Sequence, residues 1–274
     1  MRSLRIIIIN IAMAIATGSI AAENGGASQW ELGIGVGALS IPHYRGSDQR
    51  QDYAAPIPYV RYNGEHLKVD REGGRYYFYD GQQFKLDLSA TFNFPVDSDK
   101  DIARQGMPSL DAILEVGPRL QWRLWESSDQ RLRLRLGAPL RVAINLSNAN
   151  DEGLFFAPYF QLRYYAGMET ALSIGPMWAS EKFHDYYYQV DNQFATIGRP
   201  TYDAKAGYSG FRITLTTSHR LSKRYWWGGF LRYDNLSGAA FVDSPLVKQK
   251  DSFMAGFVLA YIFNPVKQYY AAAH

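Results

Sequence analysis

The chain has 274 residues, of which 47% are hydrophobic and 15% aromatic, with a formal net charge of +3 and no cysteine. The apolar content excludes a disordered chain, and the missing cysteines exclude disulfide frameworks and thiolate metal sites. The near-neutral charge argues against a nucleic-acid partner.

The N-terminus has the pattern of an export signal. Two arginines precede an apolar run over residues 6–16, and a small-residue cleavage pattern ends at Ala21. Residues 1–21 therefore predict a cleaved secretory signal peptide, because the run is too short to span a membrane. No later apolar stretch reaches the roughly 18 residues that a spanning helix needs. The exported chain is then either soluble or a transmembrane β-barrel.

Period-two alternation is the strongest signal in the rest of the chain. Apolar and polar residues alternate over 84–94, and leucines alternate with arginines and small residues over 131–145. Because successive side chains of a strand point to opposite faces, each run has one apolar and one polar face. Soluble strands usually have about five or six residues, whereas tilted strands of roughly nine to eleven cross a bilayer. We therefore predict an all-β fold, a single antiparallel transmembrane β-barrel over residues 22–263.

The connectors between strands alternate in length, with long polar ones at 40–53, 95–109, 181–205 and 236–250. This predicts short periplasmic turns, long extracellular loops and both termini in the periplasm. Residues 264–274 then form a C-terminal tail beyond the last strand. Twelve strands are predicted, with ten as the alternative because the third and fourth are short. They cover residues 29–39, 54–62, 66–71, 75–80, 83–94, 110–125, 131–145, 154–165, 169–180, 206–218, 224–235 and 251–263.

A series of motifs in the same order along the chain resembles the MltA-interacting protein (MipA) / OmpV family of outer-membrane proteins. The matching pieces are Pro42-x-Tyr44-Arg45-Gly46-Ser47-Asp48, Pro56-Ile57-Pro58-Tyr59, Asp185-Tyr186-Tyr187-Tyr188-x-Val190, Arg199-Pro200-x-Tyr202-Asp203-Ala204, Arg232-Tyr233-Asp234-x-Leu236 and Asp243-Ser244-Pro245-Leu246-Val247. The C-terminal tail departs from the family pattern.

The resemblance implies an outer-membrane barrel without catalytic activity or cofactor. Members are described as scaffolds that link a lytic transglycosylase to a penicillin-binding murein polymerase, as adhesins and as surface antigens. A murein scaffold in the outer membrane, surrounded by lipid and lipopolysaccharide, is the leading expectation. A narrow anion-favouring solute pore and a surface adhesin are the alternatives.

The polar faces of the middle strands form the first candidate site. They carry Asp111, Glu115, Arg119, Arg123, Arg131, Arg133, Arg135, Arg141 and Arg163. One interpretation is a basic pore wall that favours anions, and the other is an ion-paired filling of a small lumen. A regular hairpin would set Glu115 opposite Arg141 and Arg123 opposite Arg133.

The loop motifs form the second group of candidates. Tyr44, Arg45, Gly46, Ser47 and Asp48 predict either a loop folded into the barrel mouth, with Arg45 and Asp48 pairing to the wall, or a partner epitope. Three consecutive tyrosines and a fourth further on predict either a recognition surface or a self-packed loop: Tyr186, Tyr187, Tyr188 and Tyr202. An Arg–Asp pair and a Pro-fixed turn predict architecture: Arg232, Asp234, Asp243, Ser244 and Pro245.

Catalytic and metal signatures are weak in the sequence. No Gly-x-Ser-x-Gly elbow occurs, and no pair of histidines has the spacing of metal ligands. His184 and Asp185 are adjacent and would face opposite ways on a strand. A spatial triad of His43, Ser47 and Asp48 stays open at this point. The expectation is a protein that is not an enzyme and holds no metal.

Overall fold

A computed structural model of the chain describes residues 30–64, 66–70 and 73–266. The predicted signal peptide and the tail beyond residue 266 lie outside the described residues. The strands are β1 (Trp30–Pro42), β2 (Arg50–Asn63), β3 (Leu67–Asp70), β4 (Gly73–Asp80), β5 (Phe84–Asn93), β6 (Ile113–Glu126), β7 (Leu132–Asn145), β8 (Asp151–Phe156), β9 (Tyr159–Ala166), β10 (Met168–Ala179), β11 (Gly207–Arg220), β12 (Tyr225–Asn235) and β13 (Asp251–Ile262). The helix α1 (Glu181–Tyr188) and two 3-10 turns, Ser98–Lys100 and Asn192–Phe194, lie between strands.

The sheet closes on itself, because β13 pairs with β1 while each other strand pairs antiparallel with its neighbours. β8 and β9 are successive halves of one wall strand, since both pair with β7 and with β10. Pro158, which has no backbone N–H to donate, lies between the two halves. The barrel therefore has twelve strands, as predicted, rather than ten. No helix among the described residues is long and apolar enough to cross a membrane.

The two faces of the wall separate apolar from polar side chains. On β1, Leu32, Ile34 and Val36 are exposed, whereas Glu31, just before them, and Gly35, between Ile34 and Val36, are buried. The same alternation runs around the barrel, so an apolar surface faces outward and the polar residues line the lumen. This is the arrangement of membrane-spanning barrels, in which closing the sheet satisfies every backbone hydrogen bond.

The register of the β6–β7 hairpin differs from the prediction. Arg123 lies opposite Arg135 rather than Arg133, and Glu115 lies opposite Ala143 rather than Arg141. The turn is wider than in a regular hairpin, because the Ser127 N–H donates to the Leu132 carbonyl. A bulge between Arg123 and Trp125 then shifts the remaining pairs by one residue. As a result, Arg123 faces Arg135 instead of Arg133 across the hairpin.

Candidate functional site: a plug and a basic pocket in the lumen

One end of the barrel, the long-loop end, is covered by four connectors that pack on one another. These connectors are residues 43–49, 94–112, 180–206 and 236–250, and together we call them the plug. They share a buried apolar core made of Tyr44, Val96, Ala103, Leu110, Tyr188, Val190, Ala204, Leu236, Ala239, Phe241 and Leu246. The core crosses from loop to loop, so the plug is a folded unit rather than a set of separate loops.

Hydrogen bonds join the loops of the plug. The Tyr44 hydroxyl donates to the Leu246 carbonyl at 2.8 Å, and the Tyr188 hydroxyl donates to the Arg45 carbonyl at 2.9 Å. The Ser244 hydroxyl donates to the Tyr188 carbonyl at 2.8 Å. Each bond satisfies a buried backbone acceptor of another loop, which an apolar core requires. Three motifs that are distant in sequence therefore meet at one point.

The remaining motif residues of these loops lie around that point. Gly46 has a φ of 97°, and a Cβ there would lie 3.2 Å from Leu236, so the turn favours glycine. The Tyr202 hydroxyl donates to the Ala240 carbonyl. Pro245 is half-buried, whereas Asp243 is exposed at the surface of the plug.

Arg45 ties the plug to the barrel wall. Its Nη1 donates to the Ser209 carbonyl at 2.7 Å, and its Nη2 donates to the Ser209 hydroxyl at 2.9 Å. The guanidinium also lies over the rings of Phe155 and Phe241, at 5.3 and 5.8 Å from their centroids. Arg45 therefore reaches the barrel wall, as expected if the first long loop folds into the mouth of the barrel. Asp48 does not, because it is exposed and accepts from the neighbouring Gln49 side chain.

The tyrosine-rich segment forms the helix α1, where the polar composition of the long connector predicts a loop. The Ser180 hydroxyl caps α1 by accepting from the Phe183 N–H at 3.4 Å, and an acidic residue follows in the first turn. This serine–acid pair is a helix-start signal that the sequence contains. Tyr188 is 1% exposed and stacks on Phe241 at 3.6 Å, and the Tyr186 hydroxyl donates to the Asp111 carbonyl. The tyrosines thus lie inside the plug.

Burial sets the protonation of the groups on α1. His184 Nδ1–H donates to the Lys205 carbonyl at 2.6 Å, because a carbonyl only accepts, and Nε2 then accepts from the Ser209 hydroxyl at 3.0 Å. Burial lowers the pKa of His184 to about 4, so its ring is neutral at pH 7. Burial likewise raises the pKa of Tyr188 to about 12. The Ser209–His184 contact is fully buried, which closes it to a substrate.

The histidine of the first loop does not form a catalytic triad. Asp101 accepts from the Ser47 hydroxyl at 2.7 Å and from His43 Nδ1 at 2.9 Å. The carboxylate therefore lies between the other two groups, whereas a serine triad needs the histidine in that position. Asp48 takes no part in this cluster. Within the part of the chain that the structure describes, no group of three or more His, Asp and Glu side chains is arranged to hold a metal ion.

Two further arginines hold the plug together. Arg104 is 3% exposed and donates to the carbonyls of Tyr187 and Pro108. Arg199 donates to the carbonyls of Ala103 and Gln105. Sequence reasoning did not single out Arg104, since a lone arginine in a polar loop carries no local signal of burial.

Below the plug, Asp234 forms a buried ion pair. It accepts from Arg212 Nε at 2.7 Å and from Nη2 at 2.6 Å. The predicted pair of Arg232 with Asp234 is wrong. Arg212 lies directly opposite Asp234 across the β11–β12 ladder, and directly opposed residues are closer than residues two apart on one strand. Arg232 instead approaches the Met254 sulfur at 3.6 Å.

The middle of the lumen is filled by cations set against carboxylates. Arg119 donates to both oxygens of the fully buried Asp87, at 3.0 and 3.1 Å. Arg141 lies 3.9 Å from Glu115 even though the two are not opposite in register. Nearer the short-turn end, Arg163 pairs with Glu169 at 2.9 Å. Asp111 accepts from Asn145 at the plug side.

At the opposite end, the short-turn end, a solvent-accessible cavity of about 150 Å³ opens among basic side chains. We call it the basic pocket, and it is lined by Gly81, Gln82, Gln83, Lys85, Gln121, Arg123, Arg133 and Arg135. Arg123 donates to Glu126 at 2.8 Å, and Arg133 donates to the same carboxylate. Arg131 is not on the lumen wall. It is exposed in the β6–β7 turn, 3.9 Å from Asp129.

The base of the barrel carries one more buried ion pair, which sequence reasoning missed. Both Arg220 Nη atoms donate to Glu31, at 2.8 to 3.0 Å, and the carboxylate is fully buried. The Val266 N–H donates to Glu31 at 2.8 Å, and Asn264 Nδ2 donates to the Trp30 carbonyl. The chain after the last strand therefore folds back onto the barrel base.

A protein-family model described as "MltA-interacting protein MipA" matches residues 34–263. The chain belongs to this family. Among MipA relatives, two proteins named MltA-interacting protein, from Escherichia coli (strain K12) and Shigella flexneri, are each 25% identical over 271 residues. Each alignment covers 96% of this chain and 100% of the relative.

Solved structures similar to this MipA-family barrel share little sequence with it. A bacterial polysaccharide outer membrane secretin has a TM-score of 0.43 at 10% identity, over 88% of this chain and 100% of that one. An outer membrane channel from Pseudomonas putida F1 has a TM-score of 0.38 at 10% identity, over 90% of this chain and 98% of that one. The twelve-strand barrel is established by the strand pairing of the chain itself.

Proposed function

We propose that this MipA-family protein is a non-enzymatic outer-membrane scaffold that binds an MltA-type lytic transglycosylase at its short-turn end. The observation that carries the proposal is the plug, which fills the long-loop end with a buried core anchored to the wall by Arg45. A barrel closed in this way acts through its surface rather than by passing solutes. We take the lytic transglycosylase as the partner because both relatives are named MltA-interacting protein.

The orientation follows from the chain ends. Trp30 and Asn264 are bonded to each other at the short-turn end. In outer-membrane barrels the short turns face the periplasm and the long loops face outward. We therefore assign the short-turn end to the periplasm, where murein and its hydrolases lie, and the plug to the cell surface, with lipid and lipopolysaccharide around the wall.

The contact surface in this proposal is formed by the short turns together with the chain after β13. These segments expose apolar side chains beside charged ones, with Leu221 at 55% and Phe263 at 58% exposure. Apolar residues within a polar rim are typical of protein interfaces. A murein polymerase would bind the same surface as a second partner.

A pull-down with a soluble lytic transglycosylase of this class tests the assignment. The first variant carries Leu221→Ser and Lys223→Ser in the β11–β12 turn. The matched control carries Ile197→Ser and Lys248→Ser, two exposed residues of the same types in the plug. We expect the turn variant to recover roughly tenfold less enzyme, as for loss of an interface anchor, and the control to match the parent. Equal recovery with both variants, or loss with the plug variant alone, would contradict the proposal.

A further inference from the structure

The basic pocket brings four cationic side chains, Lys85, Arg123, Arg133 and Arg135, around one cavity. All of the residues that line it are cationic, amide or glycine residues, with no carboxylate among the described ones. We propose that the pocket binds an oxyanion, a phosphate or a carboxylate group, on a molecule that enters from the short-turn end. This proposal is independent of the scaffold function, because it depends on the lumen contacts alone.

The strand register sets like charges against each other at this end. Arg123 lies directly opposite Arg135, and Arg133 lies directly opposite Arg163, which is itself paired with Glu169. Like charges in directly opposed positions destabilise a sheet. In the middle of the lumen the pattern is reversed, because Arg119 lies opposite Asp87. A bound anion between Arg123 and Arg135 offsets the repulsion between these two directly opposed cations.

Two carboxylates beside the pocket pair with its cations, and each is shared between two basic side chains. Asp80 accepts from both Lys68 and Lys85. Glu126 is shared between Arg123 and Arg133, so one negative charge serves two cations. The Arg123 and Arg133 side chains are 35% and 28% exposed, so a solute from the short-turn end reaches them. A cleft lined by one sign of charge and walled by protein concentrates the opposite ion.

The side-chain types and the volume define the ligand class. A guanidinium presents a planar fork of donors that matches the oxygens of a phosphate or a carboxylate. Pockets for drug-sized ligands have volumes of roughly 300–1,000 Å³. A cavity of about 150 Å³ therefore takes a single oxyanion group, either free or at the end of a longer molecule.

Isothermal titration calorimetry of the refolded barrel in detergent tests the proposal. Inorganic phosphate and citrate are titrated separately, at constant ionic strength, as the phosphate and carboxylate probes. We expect saturable binding to the parent protein and at least a roughly tenfold weaker affinity in the Arg123→Gln, Arg135→Gln double variant, as for the loss of charge-assisted hydrogen bonds. Arg131→Gln is the matched control, because it removes the same charge from an exposed position outside the pocket.

The outcomes separate the ligand sources. A response to phosphate alone assigns a phosphate ligand, a response to citrate alone assigns a carboxylate, and a response to both assigns an oxyanion of either kind. No saturable binding of either probe, or equal weakening by Arg131→Gln, overturns the proposal. Folding of each variant is checked by the gel mobility of the unheated barrel. Lys85→Gln, on a different strand of the same pocket, replaces the double variant if that variant does not fold.

Discussion

The plug and the basic pocket hold the arginines of the lumen in opposite ways. At the long-loop end, Arg45, Arg104 and Arg199 donate hydrogen bonds to backbone carbonyls, and Arg45 and Arg104 also lie over aromatic rings. At the short-turn end, Arg123 and Arg133 compete for one carboxylate around a solvent-accessible cavity. Arginine therefore holds loops together in the plug, whereas around the basic pocket it is the group that we propose binds an oxyanion. The surrounding loops, rather than the residue type, decide which role an arginine has.

The largest expected effect tests whether the plug is a cooperative unit. Phe241→Ala removes a fully buried ring that stacks on Tyr188, and a large-to-small change of this kind costs about 3–5 kcal/mol. We expect hydrogen exchange to accelerate throughout residues 181–190 while the barrel strands stay protected. Phe253→Ala is the control, because that ring is 53% exposed on the outer face. Unchanged exchange in the Phe241 variant would show that the loops fold independently.

The second prediction concerns the buried ion pair under the plug. Asp234→Asn takes away the carboxylate that accepts two hydrogen bonds from Arg212, and breaking a buried pair in this way costs about 3 kcal/mol. Urea unfolding of the refolded barrel measures the loss. Asp251→Asn serves as the control on an exposed aspartate of the neighbouring strand, with a change well below that of the buried site. Similar losses of unfolding free energy in the Asp234 and Asp251 variants would contradict the claim that the buried ion pair contributes more stability than the exposed aspartate.

The third prediction is a pH dependence confined to the plug. The pKa of His184 is about 4 in the folded state and 6.5 in the unfolded state. As the pH falls below 6.5, the unfolded state gains a proton that the folded state does not, so the plug loses stability. The loss reaches about 2 kcal/mol at pH 5 and about 3 kcal/mol at pH 4, and it levels off below the folded-state pKa. Hydrogen exchange of residues 181–190 against pH measures it, and His184→Gln removes this dependence. A dependence that persists in the variant assigns it to another group.

The smallest expected effect is at the short-turn end. Arg123→Gln removes a side chain that is 35% exposed and shares Glu126 with Arg133. Partly exposed ion pairs contribute about 1 kcal/mol or less. We expect urea unfolding in chloride buffer to change by no more than that. A loss of unfolding free energy as large as that of Asp234→Asn would mean that the ion pairs beside the basic pocket contribute as much stability as the buried pair under the plug.

The sequence was sufficient to predict the wall and insufficient to predict what fills it. Alternation over 84–94 and 131–145 predicts strands whose faces are apolar and polar, and the structure has twelve of them. The register of β6 and β7 was not predictable, because one bulge near Leu124 depends on turn geometry rather than on the residue pattern. This error changed which arginines face each other.

The plug was predictable only in part. The motif around Arg45 indicated a loop in the barrel mouth, and Arg45 does reach the wall. Its partner Ser209 lies 164 residues away in sequence, and the pair of Glu31 with Arg220 spans 189 residues. Such contacts depend on barrel closure and carry no local pattern. The helix α1 did carry a local signal, the capping Ser180, that the length of the connector concealed.

Planar-bilayer conductance of the refolded barrel tests most directly the central claim that the plug closes the lumen. We predict no steady current steps for the parent protein, and intermittent openings for the Phe241→Ala variant, whose plug is loosened. Steady steps in the parent protein would contradict the account, because they would require a continuous water path past a buried core that joins four loops.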